Sequence, residues 1–161
     1  MARLKTAASL AATLFLGACT TLHNGAEFAE VAPLKQDAAL VYLYRTGVAP
    51  YWRSPTLVID GKEVSEVKNR SFTYFYLPQG QHQVATRWAL DLYPLNVNGT
   101  LDLRNGQAYY LRLGGGMQFA PGIGPGGLNV GVSSNLGQVP APTALREMRD
   151  SMYIDNALQA Q

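Results

Sequence analysis

Cysteine is almost missing from this sequence: Cys19 stands alone among 161 residues, so no disulfide can close within the chain. Only His23 and His82 supply imidazole, and with no spare thiol and scattered carboxylates the chain offers no zinc ligand set. Asp60, Asp91 and Asp102 fall in strand or turn settings that account for them without calcium. Charge is thin as well, 13 basic against 11 acidic side chains. No Lys/Arg cluster is present to displace counterions from a nucleic acid, which sets nucleic-acid binding aside. Nucleophilic catalysis would have to run through His82, and no spacing in the chain offers it a nucleophile and an orienting carboxylate. The sequence therefore assigns no catalytic residue, no metal ligand and no dissociable cofactor.

What is plentiful is turn chemistry. Sixteen glycines and nine prolines accompany 47% hydrophobic and 10% aromatic residues. That is the composition of many short elements joined by turns around a core. A length of 161 residues accommodates one ordinary domain.

Residues 1–18 read as a targeting segment, to be set apart from the fold. Arg3 and Lys5 give a positive start, and residues 7–18 (AASLAATLFLGA) are apolar or small throughout. That run is shorter than the roughly 20 apolar residues a bilayer-spanning helix requires, and no longer one follows. It ends Leu16-Gly17-Ala18-Cys19, which resembles the lipobox of bacterial lipoproteins: an aliphatic residue, two small ones, then cysteine. The resemblance implies cleavage between Ala18 and Cys19, a diacylglyceryl thioether on the Cys19 sulfur, and a further fatty-acyl chain of the palmitate kind on its amino group. The residue types suit that chemistry, because small side chains let the backbone lie extended in a peptidase cleft and the thiol is the nucleophile that takes the lipid. Lipidation also accounts for a lone cysteine in an oxidising compartment. Each buried methylene contributes about 0.8 kcal/mol, so two or three acyl chains hold a protein firmly. Thr20 stands where an aspartate tends to retain lipoproteins in the Gram-negative inner membrane. By the same resemblance the chain is expected on the inner leaflet of the outer membrane, facing the periplasm. Losing Arg3 and Lys5 with the signal leaves 11 basic against 11 acidic side chains, so the mature protein is neutral.

Residues 19–37 comprise the lipidated cysteine and a polar tether in which Phe28, Val31 and Leu34 can pack back onto a domain. From residue 38 the pattern becomes short β-rich runs. Residues 39–45 (ALVYLYR) carry β-formers on both faces, which predicts a central strand. Asp60-Gly61 joins strands at 56–59 and 62–68 through a type I′ turn. A strand at 71–77 follows, then one at 81–88 with His82, Val84, Thr86 and Trp88 alternating onto one face. Asn105-Gly106 predicts a hairpin between 99–104 and 107–113. Residues 114–127 (GGGMQFAPGIGPGG) are expected as a long uncharged loop before a last strand at 128–133. After Pro140 and Pro142 the period changes: Leu145, Met148 and Met152 fall on one helical face, with Thr143 as the cap. The expectation is an all-β chain, an antiparallel β-sandwich of about seven or eight short strands over 38–140, with one short C-terminal helix and tail over 141–161.

Several of these pieces occur in a familiar order. Phe28-Ala29-Glu30 precedes Pro33 and the strand at 39–45, and Ser54-Pro55 leads into Val58-Ile59-Asp60-Gly61-Lys62. Leu77-Pro78-Gln79-Gly80-Gln81-His82 comes next, with Val84 following, then Gly106-Gln107-Ala108-Tyr109-Tyr110-Leu111-Arg112. Together they resemble the bacterial lipoproteins of the domain-of-unknown-function 2846 family, over roughly residues 28–113. The resemblance implies a periplasm-facing β-sandwich of the kind that serves as a spacer or binding module, with no assigned activity.

Two apolar groups stand out as candidate partner-binding residues. Tyr51, Trp52 and Arg53 occupy a loop at 47–55, where exposed aromatics and arginine are typical of binding hot spots. The competing expectation is that Trp52 folds over the sheet end as a lid. Met117, Phe119 and Ile123 are the large apolar residues of 114–127, either packed on a sheet rim or free to meet a partner or a lipid surface. Gly122, Gly124 and Gly127 match G-x-G-x-x-G, but Pro125 sits inside the match and a β-like run follows it, so it reads as chance. His82 is expected to be structural, bonding a backbone group beside Pro78-Gln79-Gly80. The sequons at Asn69-Arg70-Ser71 and Asn98-Gly99-Thr100 read as ordinary turn residues.

The functional expectation is a membrane-anchored envelope lipoprotein whose β-domain is not an enzyme but a binding or accessory module. Its partners would be the membrane, through the lipid on Cys19, and an envelope protein or polymer. Two alternatives stay open. A hydrolase acting on envelope polymers needs His82 exposed in a cleft beside a carboxylate, and a small-ligand carrier needs a cavity between the sheets.

Overall fold

The computed structural model describes residues 24–30, 33–89, 95–121 and 128–159. Residues 1–23 with Cys19, Val31, Asp91 and the glycine motif at 122–127 with Ile123 lie outside the described residues. Among the described residues, nine strands form two sheets. The first holds β1 (Ala39–Arg45), β4 (Ser71–Leu77), β7 (Ala108–Pro121), β8 (Leu128–Gln138) and β9 (Met152–Tyr153), in the order β8-β7-β1-β4-β9. The second holds β2 (Thr56–Ile59), β3 (Lys62–Glu66), β5 (Gly80–Arg87) and β6 (Val97–Leu103), in the order β3-β2-β5-β6. Pairing is antiparallel except for β1 with β7 and β4 with β9. The all-β sandwich is thus the fold, with one short C-terminal helix, α1 (Ala141–Glu147). No helix among the described residues is long and apolar enough to cross a membrane.

The uninterrupted apolar run of β1 follows from its place. Ala39, Val41 and Leu43 face the second sheet and join Leu57, Ile59, Phe75, Val84 and Leu111 in the inner core. Leu40, Tyr42 and Tyr44 face the other way, into a second core with Phe72, Tyr110, Met148 and Tyr153. That outer face is covered by α1 and by Ala26 and Phe28, so the molecule has three layers where a sandwich has two. Phe28 meets Phe72 edge-on at 5.0 Å, and Tyr42 stacks on Tyr110 at 5.2 Å. Leu34, by contrast, stays exposed. Each such large side chain contributes roughly 1.5–3 kcal/mol when fully buried.

Six expectations need correction. Asn105-Gly106 does not close a hairpin: β6 pairs with β5, whereas β7 pairs with β1 and β8. Gly106 has φ 71° and donates its N–H to Lys35 O (3.1 Å) and Ala38 O (3.0 Å), so the turn is a corner between sheets. Asn-Gly specifies a backbone conformation and leaves open which strand pairs with which. Asp60-Gly61, with φ 49° and 80°, does join β2 to β3. The expected loop from residue 114 is strand as far as Pro121, and β8 continues to Gln138 rather than ending at 133. Glycines sit there because neighbours crowd in: a Cβ on Gly114 would lie 2.5 Å from Asn135 Oδ1. Thr143 caps nothing; α1 starts after Pro140 with no side-chain cap and tightens into a 3-10 turn at Met148–Asp150. Met152 therefore leaves the helical face and lies exposed in β9, while Tyr153 takes the buried position. Finally, Asn98-Gly99-Thr100 lies within β6 rather than in a turn.

Candidate functional site: an apolar rim at one end of the sandwich

Tyr51 and Trp52 of one candidate group and Met117 and Phe119 of the other come together at the end of the sheet where β1 stops. Arg45, the last residue of β1, is level with Leu113 in β7, so β7 and β8 continue beyond the sandwich as a two-stranded ribbon. Strand alternation carries the core-facing side of β7 outward: Leu111 and Leu113 are buried, then come Gly115, Met117 and Phe119 on the same face. Past Leu113 the exposure of that face rises: Met117 is exposed and Phe119 is 63% exposed. The 46–55 loop folds over Gly115, where a Cβ would lie 2.4 Å from Ala49 O. Tyr51 of that loop then lines an open cleft of about 450 Å³ with Val48, Ala49, Met117 and Phe119. Trp52 stands beside it at 96% exposure, its ring 6.3 Å from that of Tyr51. Met152, on the same end, is exposed too.

The loop is held rigidly from beneath. Arg45 is 1% exposed, and its guanidinium donates to Arg53 O (2.8 Å), Val67 O (3.3 Å), Val48 O (3.2 Å) and Pro50 O (2.6 Å). Among the described residues no carboxylate forms a salt bridge with it. Burial lowers its pKa to about 10, which leaves it protonated at neutral pH. Its charge is met by carbonyl dipoles and by the face of Trp88, 5.1 Å away. Asn69 completes the clamp: its side chain accepts from Val48 N–H (3.3 Å) and donates to Tyr51 O (2.8 Å) and Pro50 O (3.4 Å).

The lid over the sheet end is buried Trp88, not Trp52. Arg53 is drawn into that lid, with its guanidinium 5.8 Å from the Trp88 ring and donating to Ala89 O, and so sits apart from the exposed rim. The structure thus brings Tyr51, Trp52, Met117 and Phe119 to one surface. Arg45 and Asn69 were not singled out as site residues from the sequence. The available signal was a guanidinium ending an otherwise apolar strand. Its partners are backbone carbonyls, which leave no trace in residue types.

His82 is 8% exposed and uses both ring nitrogens: Nδ1 lies 2.7 Å from Asp60 Oδ2 and Nε2 2.9 Å from Pro78 O. The bond at the Pro78 turn is the one expected. The carboxylate that spacing did not offer comes from Asp60, because the antiparallel register of β2 and β5 sets Ile59 opposite Val84. Burial works against a charge on His82, yet the bonds to Asp60 and to the Pro78 carbonyl outweigh it and raise the pKa. Asp60 is lowered, chiefly by its bond to His82. Glu147 on α1 makes a second polar node, accepting from Tyr44 Oη (2.6 Å) and Arg112 (2.9 Å). Burial first, and the Glu147 bond second, push the Tyr44 phenol far above its usual range. No group of three or more potential metal ligands gathers among the described residues.

Comparison with known proteins adds the relationship. No curated protein matches the chain. A family model described as "Protein of unknown function (DUF2846)" matches residues 35–128, starting later than Phe28 and continuing past Leu113 into the first residue of β8. The matched stretch holds Arg45, the 46–55 loop, Asn69 and the glycine run of β7. Since it spans more than half of the sequence, the chain belongs to the DUF2846 family.

Proposed function

We propose that this protein is a membrane-anchored envelope lipoprotein whose β-domain is a non-enzymatic binding module, with Tyr51, Trp52, Met117 and Phe119 as its contact surface. The observation that carries the reading is an indole left 96% exposed on a loop whose carbonyls are tied down by Arg45 and Asn69. Leaving a large ring in water is unfavourable, and tryptophan and tyrosine dominate binding hot spots. A rim that is already ordered binds without the entropy cost of ordering it. The lipobox-like Leu16-Gly17-Ala18-Cys19 supports the anchor, and Thr20 supports the outer membrane.

The hydrolase alternative is disfavoured by His82, which would have to give up its bonds to Asp60 and Pro78 before acting as a base. The carrier alternative is disfavoured by the filling of the inter-sheet space with Val41, Leu43, Ile59, Phe75, Val84 and Leu111. A photocrosslinking residue at position 52, in cells, tests the module reading, and the intact mass of the purified protein tests the anchor. Crosslinks to an envelope component and a diacylglyceryl mass on Cys19 are expected. Absence of crosslinks from position 52, or an unmodified sulfur on soluble protein, refutes the corresponding half.

A further inference from the structure

We infer that the rim docks onto the headgroup layer of the phospholipid bilayer that holds the lipid anchor, so that the domain rests against the membrane. This builds on the lipid-anchored reading and identifies what its contact surface meets.

The first argument is the place where the chain leaves the domain. Gly25 donates its N–H to Tyr153 O (2.8 Å), and Glu27 bridges Met152. Met152 is paired with Ser71, which is paired with Arg45, so the Glu27–Met152 bridge is at the rim end; it is antiparallel, and from it the chain steps back along β9 to Gly25. Asn24 shares a small cleft with Lys68, and Asn69, next in sequence, donates to Tyr51 O. Five residues of chain then lead from Asn24 back to Cys19, a span of at most about 18 Å when fully extended. A domain of this size has a radius of gyration of about 14 Å. The leash is therefore short enough to hold the domain against the bilayer, and what the domain displays decides which end meets the surface.

The second argument is what that end displays. Among the described residues, the exposed large apolar side chains Tyr51, Trp52, Met117, Phe119 and Met152 all lie there, and Leu34 alone lies at the opposite end. Tryptophan and tyrosine settle at the level of lipid headgroups, where a ring is desolvated and its polar edge stays wet. The β7–β8 ribbon projects past the sandwich and carries Met117 and Phe119 outward. Charge adds to the attraction, because exposed Lys68, Arg70, Arg87 and Arg149 at this end outnumber exposed Glu66 and Asp150. Tethering makes even a weak contact effective, since the rim is held at high local concentration over the surface.

Trp52 is a built-in probe, because the other tryptophan, Trp88, is buried. The mature lipidated chain is reconstituted in phosphatidylethanolamine/phosphatidylglycerol vesicles, and Trp88 emission is subtracted with the Trp52→Phe variant. Lipids brominated near the headgroup should quench Trp52 at least twofold, iodide should lose most of its access to the ring, and a tenfold rise in salt should weaken both effects without abolishing them. Met117→Ser combined with Phe119→Ser, both on the projecting ribbon, should restore iodide access while the chain stays vesicle-bound. A chain that floats with the vesicles while Trp52 remains open to iodide and untouched by bromolipid overturns the inference and leaves the anchor standing. Protection of Trp52 that appears only when a second envelope protein is added overturns it in favour of a protein partner. A chain with unmodified Cys19 that fails to float overturns both.

Discussion

Replacing Arg45 with methionine, which keeps the length of the stem and removes every donor, should free the 46–55 loop while leaving the sheets folded. Four carbonyl acceptors lose their donor: Val48, Pro50, Arg53 and Val67. Only the bond to Val67 is fully buried, and there the lost partner costs about 1–3 kcal/mol. The other three are partly buried, so water can replace part of each bond and about 0.5–1 kcal/mol apiece is the fitting figure. Loss of the cation over Trp88 adds about 0.5–1 kcal/mol. Against these stands the relief of desolvation, the effect that lowers the Arg45 pKa to about 10. The balance is a loss of about 2–4 kcal/mol, or a fall of roughly 10 °C in Tm for a domain of this size. Urea unfolding followed by Trp88 emission in a Trp52→Phe background measures the stability. Amide hydrogen exchange measures the loop: protection should collapse over residues 46–55 and persist in β1, β4 and β5. A variant within about 0.5 kcal/mol of the parent, or one whose loop keeps its protection, would show that the guanidinium is not the clamp.

Three further outcomes follow from single contacts. Gly115→Ala places a Cβ 2.4 Å from Ala49 O and 2.9 Å from Ser133 O, two backbone atoms that cannot swing aside; a loss of about 2–3 kcal/mol is expected, whereas Gly116→Ala, with its nearest neighbour at 3.5 Å, should be close to neutral in the same thermal melts. For His82→Asn, the sign follows from the shifts: the raised His82 pKa gives stability that is complete below its unfolded value and lost as pH rises through the folded one, while the lowered Asp60 pKa gives stability lost as pH falls through its own folded value. The Tm gap between parent and variant should therefore be widest between the ordinary carboxylate range of about 4 and the ordinary imidazole value of about 6.5, and narrow as pH rises through the raised His82 pKa; a gap that does not vary with pH would refute the pairing. Glu147→Gln weakens the bonds to Tyr44 and Arg112 that fasten α1 to the sheet, so it should cost about 1–2 kcal/mol and lower the alkaline midpoint of Tyr44 ionisation, read by tyrosinate absorbance.

The sequence carried the strands well and their partners poorly, for a physical reason visible at two turns. Asp60-Gly61 and Asn105-Gly106 ask for the same left-handed backbone, and both adopt it. One is followed by a strand that pairs back, the other by a strand whose Leu40-to-Tyr44 neighbours lie in the other sheet. Local conformation is written in the dipeptide, whereas pairing is decided by which apolar faces meet across the whole domain. The glycine run shows the converse failure. Gly114 to Gly116 look like flexible linker chemistry, yet their missing side chains make room for Asn135 and for the Ala49 carbonyl. Strand alternation still ran through them, since Leu111, Leu113, Met117 and Phe119 all fall on odd positions. The two halves of the rim were separately legible as apolar groups in turn-rich segments. Their union was not, because it depends on the parallel pairing of β1 with β7 and on the buried guanidinium.

The segments outside the family match have a second consequence. Without α1, Tyr153 and Phe28, the outer faces of Leu40, Tyr42, Tyr44 and Phe72 would stand in water, so these flanking pieces complete the burial of β1 and β4. They do so by bringing two distant parts of the chain to one edge, where Gly25 and Ala26 exchange backbone hydrogen bonds with Tyr153. That exchange also fixes where the segment leading back to Cys19 leaves the domain. Under the proposed anchoring, a change that loosened the Phe28–Phe72 contact would therefore lengthen the free chain and weaken the protection of Trp52 by vesicles.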